Sequence, residues 1–307
     1  MIVPTLGRSP WLGPCLAALR REAEVQRIVV VAQGEPLPAE LSAFADELLE
    51  LRSPLGFARA ANLGISRSNT ELVALVNDDA LIEPGWTSLL AQAFAGDGDL
   101  GAAQGVNLML ERPVVVDGCG IGWNRALEAV QLGRGGEVPA LSAPVREIFG
   151  ASATAVLYRR AALEAVRLAD GTYFDPNFGS YYEDVDLACR LKAAGFRAQL
   201  VPAARARHGG SVTGRTLGWR MFAQITRNHL LTLARTLGRE FLPALPRLAW
   251  TDAKALLRSL LRGHLGAAAG ISAGWFGALA RLPRFASGGP ATLRRATLAR
   301  WDAGGAR

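Results

Sequence analysis

The chain has 307 residues, half of them apolar, enough for one large domain with an appendage or for two domains around a substantial core. Three cysteines, Cys15, Cys119 and Cys189, make an odd count without paired spacing, which excludes a disulfide framework and a Cys-based zinc site and fits a reducing compartment. Residues 1–204 hold 17 Arg and Lys against 24 Asp and Glu, and residues 205–307 hold 17 against 3. The net charge of +7 therefore joins an acidic body to a basic arm, unlike the uniform basicity of a nucleic-acid binder.

Met1-Ile-Val-Pro-Thr5 enters an apolar strand at once, without a basic leader or apolar signal core, so a cytoplasmic protein is the expectation. An amphipathic helix follows over residues 11–22. Arg27-Ile-Val-Val-Val31 has the unbroken apolar run of a strand buried on both faces of a parallel sheet. Residues 47–51 read as a third strand, 56–68 as a helix and 72–76 as a fourth strand. Pro84-Gly-Trp86 opens a helix to Phe94, with Pro at an allowed early position. This alternation predicts an open, mostly parallel α/β sheet, in which ligands sit beyond the carboxyl ends of the strands. Residues 100–110 and 113–116 are strand-like. Residues 117–144 hold six glycines and read as a long loop of the kind that often carries function. A strand over 149–158, a helix over 159–167, a helix over 183–194 stopped by Gly195, and a strand over 196–201 ended by Pro202 complete the body. From Leu217 onward the pattern is helical, with candidates at 217–237 and 252–262. Residues 263–280 lack charge, but their Gly and Ser content and His264 make a membrane span too weak, since one needs about 20 strongly apolar residues.

Two carboxylate clusters stand out. Asn77-Asp78-Asp79 closes the apolar run 71–76, at the carboxyl end of a predicted strand. Glu183-Asp184-Val-Asp186 opens a predicted helix. The first has the donors to hold a divalent cation against a diphosphate, and the second has a base to take a proton from an attacking hydroxyl. Together they are the minimum equipment for moving a sugar from a nucleotide donor to an acceptor. Either cluster alone has a plainer explanation, because helix N-termini favour acids.

The order of several blocks resembles the family 2 glycosyltransferases. Val3-Pro-Thr-Leu-Gly-Arg8, Gly56-Phe-Ala-Arg-Ala-Ala-Asn-Leu-Gly64, Val76-Asn-Asp-Asp-Ala80 and Glu83-Pro-Gly-Trp86 come first. Phe149-Gly-Ala-Ser152, Phe174-Asp-Pro-Asn-Phe178, Tyr182-Glu-Asp-Val-Asp-Leu-Ala-Cys-Arg190, Ala194-Gly-Phe and Val201-Pro-Ala-Ala-Arg-Ala-Arg-His208 follow. The resemblance covers about residues 1–230 and is nearest to a rhamnosyltransferase-like branch that builds surface polysaccharides. It implies a GT-A fold (Rossmann-like), an inverting mechanism, a nucleotide-sugar donor and a divalent cation, Mg²⁺ or Mn²⁺. It implies Asp79 as a direct metal ligand, His208 as a further one, and Asp184 as general base with Glu183 beside it. Pro4, Thr5, Arg8, Gln33, Arg59, Asn62, Asn77 and Asp78 are the candidates for the nucleotide-sugar pocket. Gly150 and Ala151 leave room for a sugar, and Trp123 either stacks on an acceptor sugar or anchors its loop. The sequence departs from the family at Asn77, where an acid is usual, and at Ala32, where relatives carry an acid that contacts the base. Gln33 and Glu50 are the nearest substitutes.

The expected division is a GT-A catalytic domain over 1–215 and a basic helical extension over 216–307. A glycan or lipid-linked glycan is the expected acceptor, with dTDP-rhamnose or a UDP-sugar as donor and no nucleic acid as partner. The basic, apolar extension is expected either to touch an anionic membrane surface at the inner face of the plasma membrane, or to pack on the body or form a homodimer. A catalytically inactive glycan-binding or scaffold protein of the same fold and a sugar nucleotidyltransferase are the rival readings.

Overall fold

The computed structural model describes residues 1–34, 36–210, 218–286 and 293–302. The expected domain boundary at 215/216, Leu217 at the head of its helix, and Glu35 lie outside the described residues.

Four parallel strands make one half of the central sheet: β1 (Ile2–Thr5), β2 (Val29–Gln33), β3 (Glu47–Leu51) and β4 (Leu72–Val76), in the order β4-β1-β2-β3. Helices α1 (Leu12–Arg20), α2 (Ala39–Ser42) and α3 (Phe57–Ser66) connect them. Successive strand residues point to opposite faces and both faces are covered. Ile2, Val29, Val31 and Leu75 meet α3 through Ala58 and Ile65 in one core. Val3, Val30 and Val76 meet Leu12 and Leu16 of α1 in another.

The other half mixes directions. β5 (Ala80–Ile82), α4 (Trp86–Phe94), β6 (Leu100–Met109) and β7 (Arg112–Gly118) come next. The stretch read as a loop holds a hairpin of β8 (Ile121–Trp123) and β9 (Ala129–Gln131), followed by β10 (Arg146–Ile148). Only the second half of the run over 149–158 is strand, as β11 (Ala155–Arg159), antiparallel to both β4 and β6. Residues 149–154 are left to feed the strand-end region. Helices α5 (Arg160–Ala165) and α6 (Glu183–Ala193) follow.

β12 (Arg197–His208) corrects the expected stop at Pro202: the strand runs through it. A register shift between Leu200 and Arg205 against β6 accommodates the missing N–H, as prolines in sheets require. Beyond it, β12 pairs with β5, setting His208 opposite Ala80.

The C-terminal part is α7 (Trp219–Leu237), α8 (Phe241–Leu261), α9 (Leu265–Leu279), α10 (Leu282–Ala286) and α11 (Arg295–Ala299). The helix expected over 252–262 is the second half of α8, which starts eleven residues earlier than expected, with Pro246 in its interior. α9 lies close against α7: a Cβ on Gly270 would come 2.4 Å from the Trp219 carbonyl oxygen, and one on Gly274 2.5 Å from Thr226 Cβ. Leu230, Leu233 and Leu237 of α7 and Leu248 of α8 share a core with Val185, Ala188 and Cys189 of α6. Among the described residues no helix is long and apolar enough to cross a membrane.

Candidate active site

The carboxyl ends of β1, β2 and β4 deliver Thr5, Gln33 and Asn77-Asp78-Asp79 to one edge of the sheet. Thr5 Oγ1 donates to Asp78 Oδ2 at 2.5 Å, and Ser9 Oγ donates to the Asp78 carbonyl at 3.2 Å. Burial, with Asp79 beside it, pushes the Asp78 carboxyl up to about 6 against the pull of the Thr5 hydrogen bond. Pro4 is buried within β1, whereas Arg8 and Arg59 are exposed.

β12 brings His208 to the same edge. Gly209 N–H donates to the Asp79 carbonyl at 2.9 Å, and His208 Nε2 lies 3.3 Å from Asp79 Oδ1. The other ring nitrogen, Nδ1, lies 2.8 Å from Asp117 Oδ2. Burial works against charge on His208, but the hydrogen bonds and charges of Asp117 and Asp79 prevail and hold its pKa up at about 9. Burial likewise raises Asp117, and the His208 hydrogen bond and charge overcome it, leaving Asp117 below the ordinary carboxylate value. Asp117 is the functional candidate that the sequence reading missed. Its signal was available, since it ends the apolar run Val114-Val-Val116 just as Asn77-Asp78-Asp79 closes the run that ends at Val76.

Among the described residues no three His, Cys, Asp or Glu side chains converge on one cation position. Asp79 and His208 nevertheless fit a divalent cation as a two-ligand site completed by a bound diphosphate. A carboxylate oxygen and an imidazole nitrogen suit Mn²⁺ or Mg²⁺. Asp117 behind the ring orients it as carboxylates do behind metal-bound histidines. Room beside Asp79 depends on Gly209, where a Cβ would stand 3.4 Å from Asp79 Oδ2.

The second carboxylate cluster reaches the same edge. Tyr181 and Tyr182 precede α6 with φ of 67° and 68°, an uncommon conformation for residues with side chains. Asn228 Nδ2, on α7, donates to the carbonyls of Phe178, Ser180 and Tyr181 at 3.0, 3.0 and 2.7 Å and so braces this turn. Asp184 Oδ2 accepts from Ala153 N–H at 3.2 Å and Oδ1 from Val185 N–H at 2.8 Å. The next residue along, Thr154, accepts from Asn77 N–H at 2.9 Å. Two hydrogen bonds and one peptide thus join Asp184 to the Asn77-Asp79 turn. Burial raises the Asp184 pKa, with the Ala153 and Val185 N–H groups opposing. Glu183 is buried and raised well above the carboxylate range by burial and by Asp184.

Several expected contacts take other roles. Asn62 Nδ2 donates to the Phe174 carbonyl at 2.6 Å while Oδ1 accepts from Tyr173 and Phe174 N–H, so the side chain clamps backbone. Gln33 Oε1 accepts from Leu55 N–H and Glu50 Oε1 from Leu37 N–H, so each substitute for the missing acid at Ala32 holds a local backbone segment. Gly150 packs on α6, where a Cβ would come 2.3 Å from Ala188 Cβ, and Ala151 is buried. Trp123 is buried edge-to-face on Phe149, with ring centroids 5.5 Å apart, and presents no open face to a sugar. Of its two expected roles, anchoring the loop is the one this packing serves.

Residues 1–229 match the family described as glycosyltransferase like family 2, and the chain belongs to it. No curated protein matches the chain in sequence. Among solved structures, GalNAc-T7 with UDP, GalNAc and Mn²⁺ is similar at a TM-score of 0.59 and 11% identity. That match covers 78% of this chain, which spans only 48% of the GalNAc-T7 chain. The mannosyltransferase PcManGT from Pyrobaculum calidifontis, in complex with GDP-Man and Mn²⁺, is similar at 0.54 and 17%, over 92% of this chain and 86% of its own. The fold is thus that of the GT-A glycosyltransferases, with a helical C-terminal region.

Proposed function

We propose that the protein is a metal-assisted, inverting glycosyltransferase that moves a hexose from a nucleotide-diphosphate sugar to a hydroxyl of a glycan or lipid-linked glycan. The observation that carries this is the union of two carboxylate clusters at one sheet edge, Asp79 with His208 on one side and Asp184 on the other, bridged through Ala153 and Thr154. Both similar structures named above hold Mn²⁺, one with UDP and the other with GDP-Man, which supports a nucleotide-sugar donor.

Asp79 and His208 would hold a divalent cation, which when bound supplies charge neutralisation to the departing diphosphate. Thr5 and Asp78 shape the adjoining wall. Each Asp184 oxygen already accepts one backbone N–H, which fixes the carboxylate plane while leaving a lone pair for the acceptor hydroxyl. Asp184 takes that proton as the hydroxyl oxygen attacks the anomeric carbon, and the nucleotide diphosphate departs from the opposite face. The sugar is rhamnose by resemblance, with dTDP-rhamnose ahead of UDP-sugars as donor, and the compartment is the cytoplasm.

A thermal-shift panel of nucleoside diphosphates and nucleotide sugars, with and without Mn²⁺, tests the reading. A Tm rise that needs both metal and one nucleotide is the expected result, and Asp79→Ala should remove it while leaving the metal-free protein folded. A folded Asp79→Ala protein with full metal-dependent stabilisation would reject the site. Retention of the donor anomer in the NMR spectrum of the product would reject single displacement.

A further inference from the structure

α8 carries an exposed stripe that the catalytic reading leaves without a task. Leu242, Pro246, Ala249, Ala253, Leu257 and Leu260 recur every three or four residues along its outer face, and all are exposed. Trp250, 65% exposed, and Leu261, 78% exposed, widen the stripe on one side. At 1.5 Å per residue the stripe is about 27 Å long. The helix turns at Gly263, and α9 adds Leu265 and Phe276, the latter 75% exposed.

Cations border this surface. Arg247, Lys254 and Arg258 lie along one flank by the same helical spacing, and Arg262 sits at the turn. Arg247 donates to the Arg125 carbonyl and Arg258 to the Lys254 carbonyl, while Lys254 lies 5.8 Å from the Trp250 ring centre. These contacts leave their charge unneutralised. Asp252 is the one acid between residues 241 and 280, and it accepts from Trp275 Nε1 at 2.8 Å on the packed side.

We propose that α8 and the α8–α9 turn form a docking surface for an anionic lipid bilayer, with the helix lying flat in the headgroup region. An apolar stripe flanked by cations is the arrangement that binds such a surface. α8 does not cross the bilayer, since its opposite face packs into the protein through Phe241, Ala244 and Leu248. An antiparallel two-fold contact with a second copy matches the charges poorly, because it brings the two cation-bearing flanks together. Anionic lipid complements them, and each cation near such a leaflet strengthens binding about fivefold.

The test is sedimentation of the full chain with vesicles of phosphatidylcholine, alone or with one third phosphatidylglycerol, without donor or metal. Binding to the anionic vesicles should exceed binding to the neutral ones at least about tenfold and weaken at high salt. Leu257→Glu with Leu261→Glu should lower it by about tenfold or more at unchanged Tm, since both side chains are exposed. Equal or absent binding to the two vesicles, or binding indifferent to the double substitution, would overturn the assignment. So would a dimer in light scattering that the double substitution dissolves, which gives the face to a second copy. Because neither nucleotide nor metal enters the assay, its failure would leave the transferase reading standing.

Discussion

Asp184 and Glu183 are neighbours with the same functional group, yet their surroundings separate them. Asp184 is half-buried and held by two backbone N–H groups, whereas Glu183 is buried, with one carboxyl oxygen unbonded among the described residues. Asp184→Asn keeps the shape and removes the basicity, so turnover should fall about 10²-fold or more while donor affinity stays level. Parallel losses in both would move Asp184 into the donor site. The wild-type pH profile carries a second check. The base must be ionised, and its pKa is raised by burial, so the acid limb should stand above the ordinary aspartate value, and turnover should fall as pH drops through it. Asp117 supplies a further prediction. Asp117→Asn removes the carboxylate behind His208 Nδ1, and Mn²⁺ affinity, read by titration calorimetry, should weaken about 10- to 100-fold. Unchanged affinity would return Asp117 to a purely packing role. The acids at strand ends and helix starts were legible because they interrupt apolar runs. What Asn62, Gln33 and Trp123 touch was not, because the segments they clamp lie 22 to over 100 residues away.

At the scale of elements, α7 is bound to α6 by charge as well as by packing. Arg235 donates to Asp186 at 2.6 Å and to Asp175 at 2.5 Å, and Asp186 also pairs with buried Arg190 at 2.9 Å. Breaking such a network leaves a buried carboxylate short of a partner. Arg235→Met should therefore cost about 3–5 kcal/mol in a denaturant titration. A loss below about 0.5 kcal/mol would place the pair with ordinary surface bridges. The strand and helix order of the first hundred residues was readable from periodicity, apart from the short α2 and β5. Proline misled the reading at Pro202, where a strand continues through a residue that usually ends one, and Pro246 likewise lies inside a helix. In both cases tertiary pairing overrode local preference, and no short window of sequence contains that information.

Across the whole molecule, the division of charge seen in the sequence corresponds to a division of surface. The helical region meets the catalytic body through Leu230, Leu233, Asn228 and Arg235, and turns Leu242, Trp250 and Leu257 outward. Packing and exposure, posed as alternatives from composition, are opposite faces of the same helices. The sequence showed that the arm was basic and apolar, but a moment calculated over a helix cannot say which side a neighbouring domain will cover. Asn228 illustrates the gap: its three backbone acceptors lie 47 to 50 residues upstream, in a turn whose shape exists only once folded.

The register shift in β12 makes the identity of the proposed metal ligand a matter of counting. Side chains alternate faces along a strand, so adding one residue between Leu200 and Arg205 would reverse the phase of everything downstream. Arg207 would then take the inward place of His208, setting a fixed cation opposite Asp79 where a metal would bind. A family alignment that matched residue types but let a gap fall in this bend would retain the histidine in print and lose it in space.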